Sequence, residues 1–213
     1  VYPDDNDATL IPALQNLYDE GDDMLSVGQI KVYSDGILIN ATAAMLQPYD
    51  YSWDLPFDDG LNYVDETRLT NLITNLEQTG FDFHIHAIGD RGVHEALNAI
   101  EAARNTNGEI DARHRITHLE IVDTDDYSRF AELDVTADMQ VAGAFTNPAN
   151  WQDNADFIGA QRSSNIIPLK SLKNAGARVV LSSDWDVSSV NPFVAMQNAI
   201  TRAPQELASI EEA

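Results

Sequence analysis

Four side chains of the kinds that bind metal ions lie within or directly after four separate strand-like runs. They are Lys31, His86, His118 and Asp184, and the runs read GQIKVYSDG, FDFHIHAIGD, HRITHLEI and ARVVLSSDWD. Sequence typical of helices lies between these runs. In a parallel α/β sheet the carboxyl ends of neighbouring strands gather at one face, where such folds place their chemistry. The pattern therefore predicts that these residues converge, and a metal-dependent enzyme is the leading hypothesis.

The two histidines of FDFHIHAIGD, His84 and His86, are two residues apart. Residues at this spacing on a strand share a face, so both imidazoles point the same way. This pair on its own is more often structural than functional, but Gly89, which allows a tight turn into a helix, favours a functional role. His118 shares the face of Ile116 by the same alternation, and a lone histidine near a strand end is more often a satisfied polar residue than a ligand.

Lys31 and Asp184 occupy positions that call for a chemical explanation. Lys31 lies between Ile30 and Val32 in an apolar strand, and burying a bare ammonium is costly. The lysine must therefore be paired, extended towards solvent or chemically modified, and a salt bridge with Asp35 is the simplest alternative. Asp184 directly follows the apolar run VVLSS, which is a frequent position for a catalytic base or a ligand. A helix cap or a turn at Asp184 is an equally good interpretation.

The composition excludes several classes of site. The chain has 213 residues, of which 44% are hydrophobic, so it can form a sizeable core. It has no cysteine, which excludes disulfides, cysteine-ligated zinc and a thiol nucleophile. Any metal must therefore use histidine, carboxylate or a modified lysine. The net charge of −23 excludes a protein that binds the nucleic-acid backbone.

The ends of the chain and its hydropathy bear on localisation. No apolar run approaches the roughly 18 residues that a membrane span needs, so we expect no membrane partner. The N-terminus, VYPDDNDATL, is acidic, lacks the features of a signal peptide and has no initiator methionine. We expect an N-terminal part to be missing, which leaves the localisation open between cytoplasmic and periplasmic or exported.

Hydrophobic periodicity and turn signals predict about five strands that alternate with helices. The predicted strands cover residues 29–34, 81–87, 115–122, 135–141 and 178–183. The predicted helices cover 8–19, 67–78, 90–104, a segment capped by Asp123, 167–174 and a segment beginning at Asn191-Pro192. Two stretches, 37–60 and 142–164, are predicted to be irregular, and the aromatic-rich segment 37–66 is expected to be a lid or binding loop. The alternation predicts a parallel sheet, either open or the larger part of an eight-stranded barrel.

Seven motifs in a fixed order carry a resemblance to a known family. They read KVYSDG with TAAMLQPY, HIHAIGDRGV, HRITHLEIVD, RFAELDVTADMQ, GAQR and LKNAGARVVLSSDWDV. In these the chain resembles a segment of the amidohydrolase superfamily, in particular its YtcJ-like (AepA-like) branch. The resemblance implies an α/β fold, a partial (β/α)8 TIM barrel of about five parallel strands that correspond to barrel strands 4 to 8. Residues 1–213 would form an incomplete barrel domain, with the N-terminal strands and a small β-sandwich absent.

The same resemblance implies a metal site. Lys31 corresponds to a carboxylated lysine on strand 4, His86 and His118 to the histidines of strands 5 and 6, and Asp184 to the aspartate of strand 8. The family's HxH pair on strand 1 precedes that lysine, so the motif at His84 is not this pair. Neutral imidazoles and carboxylates suit one or two divalent ions, with zinc expected.

The implied function is hydrolysis of a non-peptide C–N bond, in an amide or N-acyl group of a small-molecule substrate, by metal-activated water. Asp184 is the expected catalytic residue and would move the proton. His84, Asp90 and Arg162 are expected to contact substrate or support the site, with Asp90 mainly capping the following helix.

Two alternatives remain open. The chain could be a catalytically incompetent, metal-poor truncated or divergent homologue. It could also be an open sheet that binds a phosphorylated ligand, although only Gly89-Asp90 at a helix start favours this. Exposed barrel edges predict a homo-oligomer or association with a missing part of the chain.

Overall fold

One parallel sheet of five strands organises the protein, and the strands lie side by side in sequence order. The computed structural model describes residues 1–18, 20–141 and 148–201. The strands are β1 (Gln29–Tyr33), β2 (Asp82–Ala87), β3 (Arg115–His118), β4 (Thr136–Gln140) and β5 (Arg178–Ser182). Every neighbouring pair is parallel. The five predicted strands are thus confirmed, although the third ends at His118 instead of continuing to residue 122.

Helices connect the strands. They are α1 (Asp7–Leu17), α2 (Glu66–Glu77), α3 (Asp90–Asn107), α4 (Arg129–Glu132), α5 (Pro148–Ser163), α6 (Leu169–Asn174) and α7 (Pro192–Thr201). The helix predicted after Asp123 is a 3₁₀ turn, Thr124–Asp126, followed by the single turn of α4. In the described residues no helix combines the length and the apolarity that a membrane crossing requires.

The stretch 142–164 was predicted to be irregular, and most of it is the helix α5. Residues 142–147 lie outside the described residues. Gly159 interrupts α5 with a φ of 76°, which breaks the helical backbone in its last third. Because no continuous apolar stripe marks this segment, the periodicity on which a helix prediction relies is missing.

The two faces of the sheet differ in chemistry. The outer face is apolar and, on β1 to β4, buried beneath the helices; it includes Val32, Phe83, Ile85, Ile116, Ala137 and Met139. On β5 it continues to Leu181, which is 37% exposed. The inner face is largely polar, and one cross-strand row runs Lys31, His84, Arg115, Thr136 and Arg178. The next row runs Tyr33, His86, Thr117, Asp138 and Val180. Five parallel strands alternating with helices make this an α/β fold, a partial (β/α)8 barrel with its polar side chains on the inner face.

A buried ionic cluster joins the helical layer to the sheet. Glu77, at the end of α2, is 1% exposed. Its carboxylate accepts hydrogen bonds from His114 at 2.9 Å and from Asn107 at 2.8 Å, and Arg104 lies 3.4 Å away. The other ring nitrogen of His114 accepts the backbone N–H of Phe83 at 3.0 Å. Burial by itself would raise the pKa of Glu77, but His114, Asn107 and Arg104 hold it below its ordinary value.

We expect Glu77→Gln to lower the free energy of unfolding by about 2 kcal/mol at pH 7, because hydrogen bonds to a buried charge are lost. Since the pKa of Glu77 is lower in the folded protein, its contribution is present above pH 4.5 and is lost as pH falls further. The difference between wild type and variant, measured by urea unfolding, should shrink below that pH. The exposed Glu109→Gln is the matched control, and an equal loss in both variants would contradict the assigned role.

Candidate active site

A cavity of about 370 Å³ lies at the carboxyl end of the strands. All four predicted ligands line it: Lys31 from β1, His86 from β2, His118 from the end of β3 and Asp184 from the segment after β5. Residues up to 153 positions apart in sequence thus lie at one cavity, because the strands that carry them are parallel and adjacent in sequence order. The structure therefore brings the four predicted ligands to one cavity, as expected.

His86 is held as a neutral ring in one tautomer. Its Nε2 lies 2.9 Å from the carbonyl oxygen of Gly36, which can only accept, so Nε2 carries the hydrogen and donates it. Burial lowers the pKa of His86 to about 4. Within the described part of the chain its Nδ1 is buried and has no hydrogen-bond partner. A neutral imidazole whose second nitrogen is fixed by a carbonyl is the form in which histidine binds a metal.

His118 reaches the cavity through an unusual backbone conformation. Strict alternation would place it with Ile116, on the apolar face of the sheet. The φ angles of His118 and Leu119 are 80° and 55°, in the left-handed region that non-glycine residues seldom adopt. The ring of His118 lies 4.4 Å from that of His86, centroid to centroid. Burial, followed by the repulsion of His86, lowers the pKa of His118 to about 2, so this ring is neutral as well.

Lys31 is half-buried on the inner face. Burial lowers the pKa of its amine, and the carboxylates of Asp184 and Asp138 act in the opposite direction. Its Nζ lies 5.0 Å from the centre of the Tyr33 ring. The salt bridge with Asp35, considered above, is wrong, because the Asp35 carboxylate accepts backbone N–H groups instead.

The donor atoms of the cavity suit a divalent ion in their chemistry. Zinc prefers imidazole nitrogen and carboxylate oxygen, and the unpartnered Nδ1 of His86 provides such a donor. Across residues 1–18, 20–141 and 148–201, no three histidine, aspartate or glutamate side chains form a group that could hold a metal ion. His86 and His118 are therefore the close donor pair. Lys31 and Asp184 line the same cavity, but among the described residues neither aspartate nor glutamate completes a group of three ligands with the two histidines.

The carboxylate of Asp35 holds the cavity wall in place. It is fully buried and accepts the backbone N–H groups of Ala44, Ile88 and Gly89 at 3.0, 3.0 and 2.8 Å. Oδ1 also lies 3.4 Å from Nε2 of His86. Burial raises the pKa of Asp35 to about 7, although these hydrogen bonds act against that shift. One side chain thus joins the loop after β1 to the start of α3.

We expect Asp35→Ala to lower the free energy of unfolding by about 3 kcal/mol or more, because three buried N–H groups lose their acceptor. Urea unfolding at pH 7 measures this loss. The control is Asp4→Ala, the same substitution at an exposed position. A variant at position 35 as stable as this control would show that the three contacts contribute nothing.

The other predicted site residues lie outside the cavity lining. His84 is half-buried on the inner face, and burial lowers its pKa to about 4. Asp90 does not provide the N-cap of α3, which is Gly89; its carboxylate accepts the N–H of Leu46 at 2.7 Å. Arg162 donates to the carbonyls of Gln47 and Pro48, at 2.9 and 2.8 Å. Asp90 and Arg162 therefore hold the loop after β1, and their contact with substrate stays a prediction.

The sequence interpretation missed several residues of the cavity. Glu120 lines it two positions after His118, and this spacing on a strand was the available signal. Asn154 also lines it, from α5, where no helix was predicted. The remaining lining is mostly apolar and consists of Tyr33, Ile37, Leu38, Ile39, Ile88 and Val187. Three of these residues belong to the segment 37–66 that was expected to be a lid or binding loop.

Comparison with known proteins identifies the family of this chain. Residues 6–213 match the model of the amidohydrolase family. The chain is 31% identical over 185 residues to Protein LONG AFTER FAR-RED 3 of Arabidopsis thaliana, covering 84% of this chain and 30% of that protein. It is 30% identical over 178 residues to the putative amidohydrolase YtcJ of Bacillus subtilis (strain 168), covering 82% of this chain and 31% of that protein.

Among solved structures, an uncharacterized metal-dependent hydrolase from Pyrococcus furiosus superimposes with a TM-score of 0.74 at 27% identity, over 95% of this chain and 41% of that one. The chain spans about a third of the length of the curated relatives named above. The match to the family model extends over nearly the whole sequence and includes all four predicted ligands. The chain belongs to the amidohydrolase family.

Proposed function

We propose that the chain carries part of the active site of a metal-dependent amidohydrolase that cleaves a non-peptide C–N bond in a small molecule. The observation that carries this proposal is the meeting of Lys31, His86, His118 and Asp184 at one cavity. Neutral histidines support it, because only the neutral ring can bind a metal. Membership of the amidohydrolase family supports the reaction class, and the non-peptide amide or N-acyl bond is our extension of it.

Lys31, His86, His118 and Asp184 are the residues that would hold the ion. A divalent ion bound there, with zinc as our expectation, would polarise a substrate carbonyl and make water more acidic. Lys31 would act as a carbamate, since burial lowers the pKa of its amine and leaves more of it in the neutral form that adds to CO₂. The modification converts a half-buried cation into an anionic oxygen donor.

Asp184 is placed to move the proton. It lines the cavity and is exposed, so its carboxylate can reach both water and a bound substrate. It would accept a proton from the attacking water and deliver it to the leaving nitrogen. The apolar residues of the wall would exclude bulk water from the bond that is cleaved.

A second candidate is a metal-poor, catalytically incompetent homologue. The observation in its favour is that no three histidine, aspartate or glutamate side chains of the described segments form a metal-holding group. A catalytically incompetent homologue would give the strained backbone at His118 no chemical role. We therefore prefer the metal-dependent hydrolase.

Metal dependence is the first test. Metal content by mass spectrometry, and hydrolysis of a panel of N-acyl compounds, should be measured for this chain and for the full product of the gene that encodes it. We expect the full product to bind a divalent ion and to lose at least 100-fold in turnover after treatment with a chelator. Full turnover without metal, or no metal uptake by the full product, would refute the metal-dependent hydrolase.

Substitution of the ligands is the second test. In the full gene product, Lys31→Ala and Asp184→Asn should each lower kcat by at least 1000-fold, since one removes a ligand and the other the proton carrier. Lys173→Ala, in α6 and outside the cavity, is the matched control for the lysine. Near-normal turnover of either cavity variant would contradict the assigned roles.

A further inference from the structure

A rim of exposed apolar side chains extends outward from the cavity. It consists of Ile37, Ile39, Tyr51 and Trp53, which are 40%, 43%, 47% and 56% exposed. Ile37 and Ile39 also line the cavity. The indole N–H of Trp53 donates to the carbonyl oxygen of Ile39 at 3.0 Å. Trp53 therefore lies directly beside the cavity lining, and the ring of Tyr51 lies next to it, 5.2 Å away from centroid to centroid.

The two aromatic rings of the rim rest on α5, the helix that also contributes to the cavity. The ring of Phe157 lies 5.7 Å from that of Tyr51 and 5.6 Å from that of Trp53, centroid to centroid. Phe157 is buried. It follows Asn154, which lines the cavity, by three positions, so the two side chains share a face of the helix. The same face of α5 thus supports the rim and lines the cavity.

The chain fixes these rings in place by contacts of its own. The N–H of Asp50 donates to the carbonyl oxygen of Phe157 at 2.8 Å, and Arg162 donates to the carboxylate of Asp50 at 3.1 Å. Trp53 has a φ of 52°, in the left-handed region that large side chains seldom adopt. A surface that is held in position in this way loses little conformational entropy when a ligand binds to it.

The indole of Trp53 is more than half exposed, although its N–H and its two aromatic neighbours hold it in place. Apolar surface in water is unfavourable, and an exposed apolar patch continuous with a cavity is typical of a ligand-binding groove. A planar apolar group can pack on the indole, and the attraction between two rings adds to the effect of the buried area. The aromatic ring of a small molecule is the group that matches this surface.

We propose that Trp53 and Tyr51 form a subsite for an aromatic ring that extends out of the cavity past Ile39. The inference rests on the proposed function and adds a feature of its substrate. The small molecule carries an aromatic ring at the end of a linker, while its reacting bond lies inside the cavity. Trp53 determines specificity through its contact with this ring.

Unreactive ketones test the subsite without hydrolysis. The ω-phenylalkan-2-ones with two, three, four and five methylene groups carry a carbonyl, no C–N bond and a ring at increasing distance. The alkan-2-ones of the same chain lengths lack the ring. Binding to the full product of the gene is measured by isothermal titration calorimetry. We expect one linker length to bind most tightly, with the ring raising the affinity about tenfold at that length. Equal affinities with and without the ring at every length would overturn the proposal.

Substitutions in the rim show where the ring binds. Trp53→Ala should lower the affinity for the best phenyl ketone about tenfold and change that for its ring-free counterpart less than about twofold. Trp53→Phe keeps an aromatic ring and should retain most of the affinity. Tyr51→Ala provides an independent measurement and should weaken binding of the phenyl ketone about threefold. Urea unfolding checks that the variants fold.

Phe193→Ala is the matched control, because it removes an aromatic residue that is 74% exposed and outside the cavity lining. It should change neither affinity. An unchanged affinity for the phenyl ketone in both Trp53→Ala and Tyr51→Ala would refute the subsite.

Two other results separate the proposal from its alternatives. If Trp53→Ala weakens self-association in sedimentation velocity and leaves the affinity for the phenyl ketone unchanged, the rim is a contact between copies of the chain and the subsite is refuted. If the phenyl ketone binds through Trp53 in a protein that takes up no metal and cleaves no C–N bond, the subsite is supported while the metal-dependent hydrolase is refuted.

Discussion

The hydrogen bonds of the Asp35 carboxylate hold together the segments on which the cavity depends. They join the end of β1 to the loop at Ala44 and to the turn at Ile88 and Gly89. Because the carboxylate is completely buried, water cannot replace any of these contacts at low cost. Gly92 lies so close that a Cβ there would come within 2.8 Å of Oδ2. The carbonyl that fixes the tautomer of His86 belongs to the residue after Asp35, Gly36, on the segment that Asp35 holds.

Three of the eight non-glycine residues with positive φ among the described residues lie at the candidate active site. His118, Leu119 and Asp184 have φ angles of 80°, 55° and 48°. Such conformations cost on the order of 1–3 kcal/mol each and persist when the surrounding structure determines them. Here the constraint comes from the N–H of Leu119, which donates to the carbonyl of Ala87, and from the regular pairing of β2 with β3. At His118 this backbone conformation brings the ring to 4.4 Å from the His86 ring, centroid to centroid.

The electrostatics of the cavity differ from those of the protein as a whole. The chain carries a net charge of −23, which favours the protonation of histidines. Burial outweighs this effect and lowers the pKa of His86 and His118 to about 4 and 2. The same burial makes the amine of Lys31 less basic. Desolvation therefore prepares neutral nitrogen donors inside an acidic protein.

Local pattern determined the elements of this protein. Alternation on β2 was enough to place His84 and His86 on one face, and periodicity was enough to identify five strands and most helices. Chain order with parallel pairing was enough to predict that Lys31, His86, His118 and Asp184 converge. These features could be predicted because the periodicity of side chains is visible in consecutive residues of the sequence.

Only the tertiary structure decided how the side chains are used. Asp35 accepts hydrogen bonds from backbone N–H groups up to 54 positions away and does not pair with Lys31. At His118, left-handed backbone angles break the alternation of the strand. Asn154 entered the cavity on a helix that has no clear apolar stripe. Each of these three features depends on contacts between segments that are distant in sequence, and a local sequence pattern does not predict such contacts. The sequence by itself therefore determined which residues meet, and the tertiary structure determined their orientation, their protonation and the wall around them.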